Sequence, residues 1–305
     1  MSEAVKPQAA DFSIRMTRTV ISLVFGATRL VRRPPKAPAP VREHAYGPDA
    51  AERLEIIEPV AGAGDRNGEA IVYVHGGGWI AGRKELYTRY LTFLAEAGYL
   101  VINVEYPLAP ENPHPGILRS LFRALDWIEA NRKEVTGFHV MGDSAGGNLA
   151  MMLGLLSANP ELLSEVDAER RQSSGLPCRS IVSLYGVLDR LTWIEDGFPG
   201  ADTMLEGYGG KQAFEKEVSP AGAITPMDLN FNTVPRTLLA VGTKDPLRRS
   251  SQLLADRLSA MGADFAHTEY PGEGHGFFNL GFSKSDARLR EEILHFLASK
   301  SALTG

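Results

Sequence analysis

Short apolar runs alternate with helix-like patterns along most of the chain from residue 71 onward. Apolar residues at helical spacing predict helices over residues 85–97, 117–135, 145–158, 247–261 and 283–299. We interpret the apolar runs as buried strands, at residues 71–74, 100–104, 138–141, 181–184, 237–241 and 265–270. Strands that alternate with helices are typical of βαβ units. The pattern therefore predicts an α/β fold with a mostly parallel central sheet flanked by helices.

Residues 187–234 interrupt this alternation. They are rich in Gly, Pro and aromatic residues and follow no clean helical or strand period. A loop of this length inside a compact domain is usually functional. Open α/β sheets bind their ligands beyond the carboxyl ends of the strands. We therefore predict that residues 187–234 form an insertion above that edge of the sheet.

The first 45 residues form a separate unit by composition. A helical pattern from Met16 to Val31 precedes four prolines, at residues 34, 35, 38 and 40, which predict an extended linker. One side of the helix carries its arginines, at residues 15, 18, 29, 32 and 33. The other side is apolar and consists of Met16, Val20, Leu23, Val24, Ala27, Leu30 and Val31. Such a helix either binds a membrane surface through its arginines or packs its apolar stripe on the rest of the protein.

Composition excludes several classes of protein. The 305 residues are 44% hydrophobic, which is enough for a large core, and the net charge of −5 gives no general attraction for nucleic acid. The single cysteine, Cys178, cannot form an intrachain disulfide. No run of about 18 apolar residues exists, so we expect no membrane span. The N-terminal stretch has no signal-peptide cleavage site, and we expect a cytoplasmic protein.

The net charge combines two unlike regions. Residues 12–42 contain seven Lys or Arg residues and no acidic residue, whereas the rest of the chain carries 25 basic and 37 acidic residues. Attraction between the basic segment and the acidic remainder follows, and salt would weaken it. We therefore expect activity to depend on salt concentration.

The strongest chemical motif is Gly142-Asp143-Ser144-Ala145-Gly146, between a predicted strand and a predicted helix. A G-x-S-x-G sequence at such a turn holds the serine on a strained bend at the top of the sheet. The following backbone N–H points to the same place. This context predicts that Ser144 is a nucleophile rather than a simple turn residue.

A second motif, His75-Gly76-Gly77-Gly78-Trp79, follows the strand at residues 71–74. Consecutive glycines expose backbone N–H groups that can donate to a developing oxyanion. A phosphate-binding loop would normally open into a helix or carry a Lys-Ser/Thr pair, which this segment lacks. The motif predicts an oxyanion hole.

A nucleophilic serine needs a histidine base oriented by a carboxylate. Of the seven histidines, only His275 lies in a glycine-flanked loop just beyond the last predicted strand. Asp245 follows the strand at 237–241, where the acid is expected; its alternative role is to cap the next helix. Asp189, after the preceding strand, is the alternative acid. The chain order Ser144, Asp245, His275 is that expected of an α/β-hydrolase.

Four motifs in this order resemble the hormone-sensitive lipase family of esterases, the bacterial family IV carboxylesterases with a Gly-Asp-Ser-Ala-Gly sequence. They are His75–Trp79, Tyr106–Glu111, Gly142–Ala150 and Asp245–Leu247. The resemblance covers about residues 71–297. The family usually has Arg where this chain has Pro107.

This resemblance implies an α/β-hydrolase core with a helical cap, activity on short- to medium-chain acyl esters, and no cofactor or metal. We expect residues 1–45 to form a cap helix and linker, residues 46–186 and 235–305 the core, and residues 187–234 a cap insertion. By motif position, the family's triad corresponds to Ser144, Asp245 and His275. Its oxyanion hole corresponds to the N–H groups of Gly77, Gly78 and Ala145.

Several alternatives remain at this point. An amidase or deacetylase would use the same triad, and the resemblance extends to receptors that bind a small ligand without turnover, in which the histidine position is altered. Trp79 either lines the substrate pocket or packs under the cap. The family contains monomers and dimers, so a homodimer is compatible with the sequence. For the N-terminal helix we favour packing of its apolar stripe over the active site, with the arginines in solvent.

Overall fold

In the computed structural model, described residues are 10–31, 41–60, 68–170, 174–280 and 283–299, and their strands form one eight-stranded sheet. The strands are β1 Val41–Ala45, β2 Arg53–Ile57, β3 Glu69–Val74, β4 Leu100–Val104, β5 Gly137–Asp143, β6 Cys178–Leu184, β7 Arg236–Gly242 and β8 Phe265–Tyr270. Their order is β1-β2-β4-β3-β5-β6-β7-β8. Strand β2 is antiparallel to β1 and β4, and all other neighbours are parallel. The predicted α/β fold is confirmed.

Helices flank this sheet and cover its carboxyl edge. They are α1 Ala10–Val31, α2 Thr92–Glu96, α3 Gly116–Asn131, α4 Ala145–Ala158, α5 Pro160–Val166, α6 Arg190–Glu195, α7 Ala201–Gly209, α8 Arg248–Ala260, α9 Phe277–Leu280 and α10 Lys284–Ala298. Short 3-10 helices lie at Lys84–Leu86, Lys211–Phe214, Pro220–Gly222 and Pro226–Asp228.

Side chains of the central strands point alternately to two apolar layers. In β3, Val72 and Val74 join the layer that contains α3 and α4, whereas Ile71 and Tyr73 join the layer that contains α10. Helix α4 is apolar on all sides because it is buried along its whole length up to Leu156. A sheet covered on both faces explains the continuous apolar runs of β4, β5 and β6.

The sequence pattern missed the strands β1 and β2 and predicted one helix that is too long. Strands β1 and β2 are short and antiparallel, and β1 is an edge strand with mostly exposed side chains, so neither presents a long apolar run. Residues 41–45, grouped with the linker by composition, form β1. The helix expected over residues 85–97 is instead a 3-10 turn followed by the five-residue α2.

The N-terminal helix is present, but the prediction of which face packs inward is wrong. Met16, Val20 and Leu23 are 56%, 53% and 67% exposed, whereas Ile14 is 4% exposed. Arg18, expected in solvent, is partly buried. Arg15 is exposed, as expected. The structure does not describe the side chains of the other predicted members of the stripe and of the basic side, nor the proline linker.

Hydrogen bonds from Arg18 explain this orientation. Its guanidinium donates to the carbonyls of Ile80 and Ala109 at 2.6 and 2.7 Å. It also binds both carboxylate oxygens of Glu111, at 3.0 and 2.7 Å. A bidentate pair and two carbonyl acceptors satisfy the guanidinium against the protein surface. The apolar stripe on the other side of the helix therefore faces outward.

Candidate active site

Ser144 stands at the sharp turn between β5 and α4. Its backbone has φ 54° and ψ −123°, which is a strained conformation for a residue with a side chain. The Ser144 N–H donates to the Leu184 carbonyl at 2.9 Å, which ties the turn to the neighbouring strand β6. The serine hydroxyl thus lies at the carboxyl edge of the sheet.

The structure brings the three predicted triad residues together. His275 Nε2 lies 2.9 Å from Ser144 Oγ, and His275 Nδ1 lies 2.9 Å from Asp245 Oδ2. The other Asp245 oxygen accepts the Leu247 N–H at 2.9 Å. The Asp245 side chain is fully buried, whereas His275 is 24% exposed. A histidine between a buried carboxylate and an accessible hydroxyl can move a proton to and from that hydroxyl.

Asp189, the alternative acid, has a different place. Its Oδ2 accepts the Thr192 N–H at 2.9 Å and caps α6. The carboxylate that contacts His275 is that of Asp245.

Two aromatic rings flank His275. Tyr185 meets the imidazole edge-to-face with ring centroids 5.0 Å apart, and Phe198 does so at 4.8 Å. Tyr185 follows β6 and has φ 38°, while Phe198 belongs to the insertion. These rings restrict the rotation of the imidazole and limit the access of water to it. Neither was identified from the sequence, which carries no local signal for a ring brought in from another segment.

The glycine loop lies beside Ser144 in a conformation that requires glycine. Gly77 has φ 128° and Gly78 has φ 61°. A Cβ at Gly77 would collide with the carbonyl of Ala81, so the position excludes any other residue. Within the described residues, the N–H groups of Gly77 and Gly78 have no hydrogen-bond acceptor. They are therefore free to donate to a substrate oxygen.

Asp143 connects the glycine loop to the serine turn. Its Oδ1 accepts the Gly76 N–H at 2.9 Å and the Tyr73 hydroxyl at 2.7 Å, and its Oδ2 accepts the Tyr87 hydroxyl at 3.2 Å. Burial, and secondly the Asp143 charge, raise the pKa of both tyrosines far above its usual value, so both hydroxyls keep their protons. The motif showed Asp143 beside Ser144, but its partners come from β3 and the segment before α2.

His75, the first residue of the glycine loop, supports this loop from inside the core. It is fully buried, stacks on Tyr106 with ring centroids 4.3 Å apart, and lies 3.2 Å from Glu105. Burial alone would lower the pKa of His75, but the charge and hydrogen bond of Glu105, with the Gly76 carbonyl and the Asp143 charge, together raise it. The Tyr106 hydroxyl donates to the His75 carbonyl at 2.8 Å. These contacts anchor the first residue of the glycine loop.

We call α1 together with residues 187–234 the roof. Trp79, the residue after the glycines, is fully buried beneath it. Its indole stacks on Tyr208 with ring centroids 4.6 Å apart, meets Trp193 edge-to-face at 5.5 Å, and donates to Asn148 at 3.3 Å. Of the two roles considered for Trp79, this burial favours packing under the roof.

Arg190 holds the insertion together. Its guanidinium is 1% exposed and donates to the Asp228 carboxylate at 2.8 Å. It also donates to the carbonyls of Ala213, Glu215 and Lys216. One buried arginine at the start of α6 thus connects separate parts of the insertion by hydrogen bonds. The sequence pattern did not single out Arg190.

A group of three carboxylates lies away from this site, at Glu43, Glu55 and Glu85. The ammonium of Lys84 already lies among them, 2.7 Å from Glu43 and 2.5 Å from Glu85. These carboxylates are therefore satisfied by a lysine and do not require a metal ion.

Comparison with known proteins assigns the family. A family model described as alpha/beta hydrolase fold matches residues 71–279. The chain belongs to this family. Its likeness to carboxylesterases and esterases confirms the branch indicated by its motifs, the family IV hydrolases similar to hormone-sensitive lipase.

Two similar proteins show how much of the chain and of each relative the similarity covers. Carboxylesterase NlhH of Mycobacterium tuberculosis is 27% identical over 227 residues, which are 69% of this chain and 66% of that protein. The chain thus matches slightly less than two thirds of that relative. An esterase of Acinetobacter venetianus is 26% identical over 260 residues, covering 80% of this chain and 82% of that protein.

Solved structures show the same fold. Esterase B from Lactobacillus rhamnosis aligns with a TM-score of 0.80 at 21% identity and covers 95% of both chains. The match extends beyond the family model and includes most of the residues outside it. Among the residues searched, none of the helices has the length and apolar character needed to cross a membrane.

Proposed function

We propose that this protein is a serine carboxylesterase with Ser144 as nucleophile, His275 as base and Asp245 as the orienting acid. The observation that carries the proposal is the pair of 2.9 Å contacts that join Asp245, His275 and Ser144 at the strained turn. The names of the similar proteins support esters as the substrate class.

The mechanism follows from the geometry. His275 Nε2 accepts the Ser144 proton while Oγ attacks the ester carbonyl, and the tetrahedral oxyanion receives hydrogen bonds from the N–H groups of Gly77, Gly78 and Ala145. His275 then protonates the leaving alcohol, which gives an acyl-enzyme. Water, deprotonated by His275, attacks the acyl-enzyme and releases the acid and Ser144. Asp245 stays ionised and keeps the histidine Nδ1 protonated throughout.

We also propose that the roof is a cap that limits the size of the acyl group. Ile14 of α1 packs near Gly207 of α7, and Met204 of α7 lies against Gly78. The fully buried Trp193 and Tyr208 close the space beside Trp79. Large side chains this close to the oxyanion donors leave room for short- to medium-chain acyl groups, and Trp79 shapes this wall through its packing.

The test is the Ser144→Ala variant, assayed with p-nitrophenyl acetate. We expect kcat/KM to fall by about 10⁵-fold or more, because the attacking oxygen is removed. Ser164→Ala, which changes an exposed serine of α5, is the matched control and should retain the parent rate. Circular dichroism of both variants verifies folding. Parent-like hydrolysis by folded Ser144→Ala would contradict the proposal.

A chain-length series of p-nitrophenyl esters with an amide counterpart then tests the substrate. We expect the highest kcat/KM for short to medium acyl chains and much slower cleavage of the amide. Preference for the amide would identify an amidase or deacetylase. Stoichiometric ligand binding without turnover would identify a receptor.

A further inference from the structure

One face of α1 is apolar and exposed. Phe12, Met16, Val20 and Leu23 are 71%, 56%, 53% and 67% exposed. At 100° per residue they fall within an arc of about 80° and form one continuous strip, which we call the α1 stripe. It contains four of the seven large exposed apolar side chains among the described residues. Apolar side chains concentrated in this way mark an interaction surface.

The opposite face of α1 fixes the stripe outward. Ile14 packs near Gly207 of α7, and the Thr17 methyl group lies over Gly200. Arg18 is bound to two carbonyls and to Glu111. Rotation of the helix to bury the stripe would break all these contacts. The stripe is therefore a stable feature of the folded chain.

The charge of the segment that carries the α1 stripe indicates what kind of surface binds to the stripe. Residues 12–42 carry seven basic and no acidic residues, and Arg15 is exposed next to Met16. The rest of the chain is net acidic, so an anionic surface attracts this segment and repels the other faces. A second copy of the chain docked on the stripe would bring two basic segments together, which opposes self-association.

We propose that α1 docks the protein on an anionic lipid surface, with the α1 stripe inserted among the lipid chains and the net positive charge of residues 12–42 attracted to the headgroups. An apolar strip flanked by cations is the arrangement by which interfacial helices bind such surfaces. The proposal concerns where the protein lies and does not depend on the proposed esterase activity.

The experiment is co-sedimentation of the full chain with vesicles. We compare vesicles of phosphatidylcholine mixed with phosphatidylglycerol against vesicles of phosphatidylcholine alone. The parent should bind the anionic vesicles, and binding should weaken as salt is added. The variant Met16→Ser/Val20→Ser/Leu23→Ser should bind at least about tenfold more weakly, because its stripe is polar.

A matched control removes three exposed apolar side chains elsewhere. Phe214→Ser/Leu253→Ser/Met261→Ser leaves the stripe intact and should bind the vesicles as the parent does. Circular dichroism establishes whether the variants remain helical. If the stripe variant is misfolded, Val20→Trp provides an independent measurement, since the added indole emission should shift to shorter wavelength on anionic vesicles.

Three results would overturn the proposal. The parent could fail to bind anionic vesicles, a folded stripe variant could bind them as tightly as the parent, or the Val20→Trp emission could stay unchanged. Sedimentation equilibrium tests whether a second copy of the chain, rather than a lipid surface, covers the α1 stripe. A parent dimer that dissociates in the stripe variant, without vesicle binding, would assign the stripe to a second copy of the chain.

Discussion

The candidate active site and the roof above it are held in place by different kinds of contact. Ser144, Asp245 and His275 each follow a parallel strand, so backbone hydrogen bonds of the sheet determine where they meet. The roof combines apolar packing, such as that of Tyr208 on Trp79, with two guanidinium groups, Arg18 under α1 and Arg190 inside the insertion. The reacting groups thus share the rigidity of the sheet, while the roof can change with a few side chains.

Apart from the loss of the Ser144 nucleophile, the largest effect should come from the acid at the sheet edge. Asp245→Asn should lower kcat for p-nitrophenyl acetate by about 10⁴-fold, because an amide favours the histidine tautomer with its proton on Nε2. Asp189→Asn is the matched control and should keep kcat within about twofold, since asparagine caps a helix as well as aspartate does. A greater loss in Asp189→Asn would reverse the assignment of the acid.

Arg190→Met should produce the largest loss of stability in the roof. It leaves one oxygen of the buried Asp228 carboxylate and three carbonyls without their donor, which should cost about 3–5 kcal/mol of unfolding free energy in urea denaturation. Arg249→Met breaks an exposed ion pair with Glu195 and Asp196 and should leave the unfolding midpoint nearly unchanged. Equal midpoints for both variants would show that Arg190 does not hold the insertion.

The junction between core and roof should be sensitive to acid. His114 contacts the Tyr208 hydroxyl at 3.3 Å, and burial lowers the pKa of His114 to about 4. The unfolded chain takes up this proton near its ordinary pKa of about 6.5, so stability falls as the pH falls from about 6.5 towards 4.

We therefore expect the parent to lose about 1–2 kcal/mol more unfolding free energy than His114→Gln between pH of about 7 and about 5. Urea denaturation at several pH values measures this difference. Above pH of about 7 the two curves should run parallel, because neither state then binds the proton. Parallel curves over the whole range would contradict the prediction.

The smallest effect should come from the contact between α1 and the core. Arg18 and Glu111 are 30% and 66% exposed, so Arg18→Met should cost no more than about 1 kcal/mol of stability. We expect a change in KM rather than kcat, because the roof moves while the triad does not. Added salt should bring the parent KM toward that of the variant.

Arg42→Met removes another charge of the same basic segment and serves as its control. Arg42 is an exposed residue of β1, so its KM should match the parent at every salt concentration. If both variants changed KM equally, the effect would belong to the overall charge of the segment and not to the Arg18 contacts.

The sequence predicted those strands and site residues whose position depends on the conformation of neighbouring residues in the chain. The parallel strands were visible because buried strands need continuous apolar runs, and the turn at Ser144 was visible because its strained backbone needs small neighbours. The strands β1 and β2 were missed because β1 is mostly exposed and both are only five residues long and interrupted by charged residues, so neither carries a clear apolar run. Arg190 was missed because its four acceptors are brought to it only by the folded insertion.

The sequence by itself determined the α/β fold, the places of Ser144 and His275 at the ends of strands, and the glycine loop, because these depend on residue types next to one another in the chain. Only the tertiary structure decided that Asp245 rather than Asp189 meets His275, that Asp143 binds the glycine loop, and which face of α1 is exposed. Each of these depends on groups far apart in sequence. The periodicity of α1 showed that it has two faces, but the carbonyls and carboxylate that receive Arg18 decided which face turns inward.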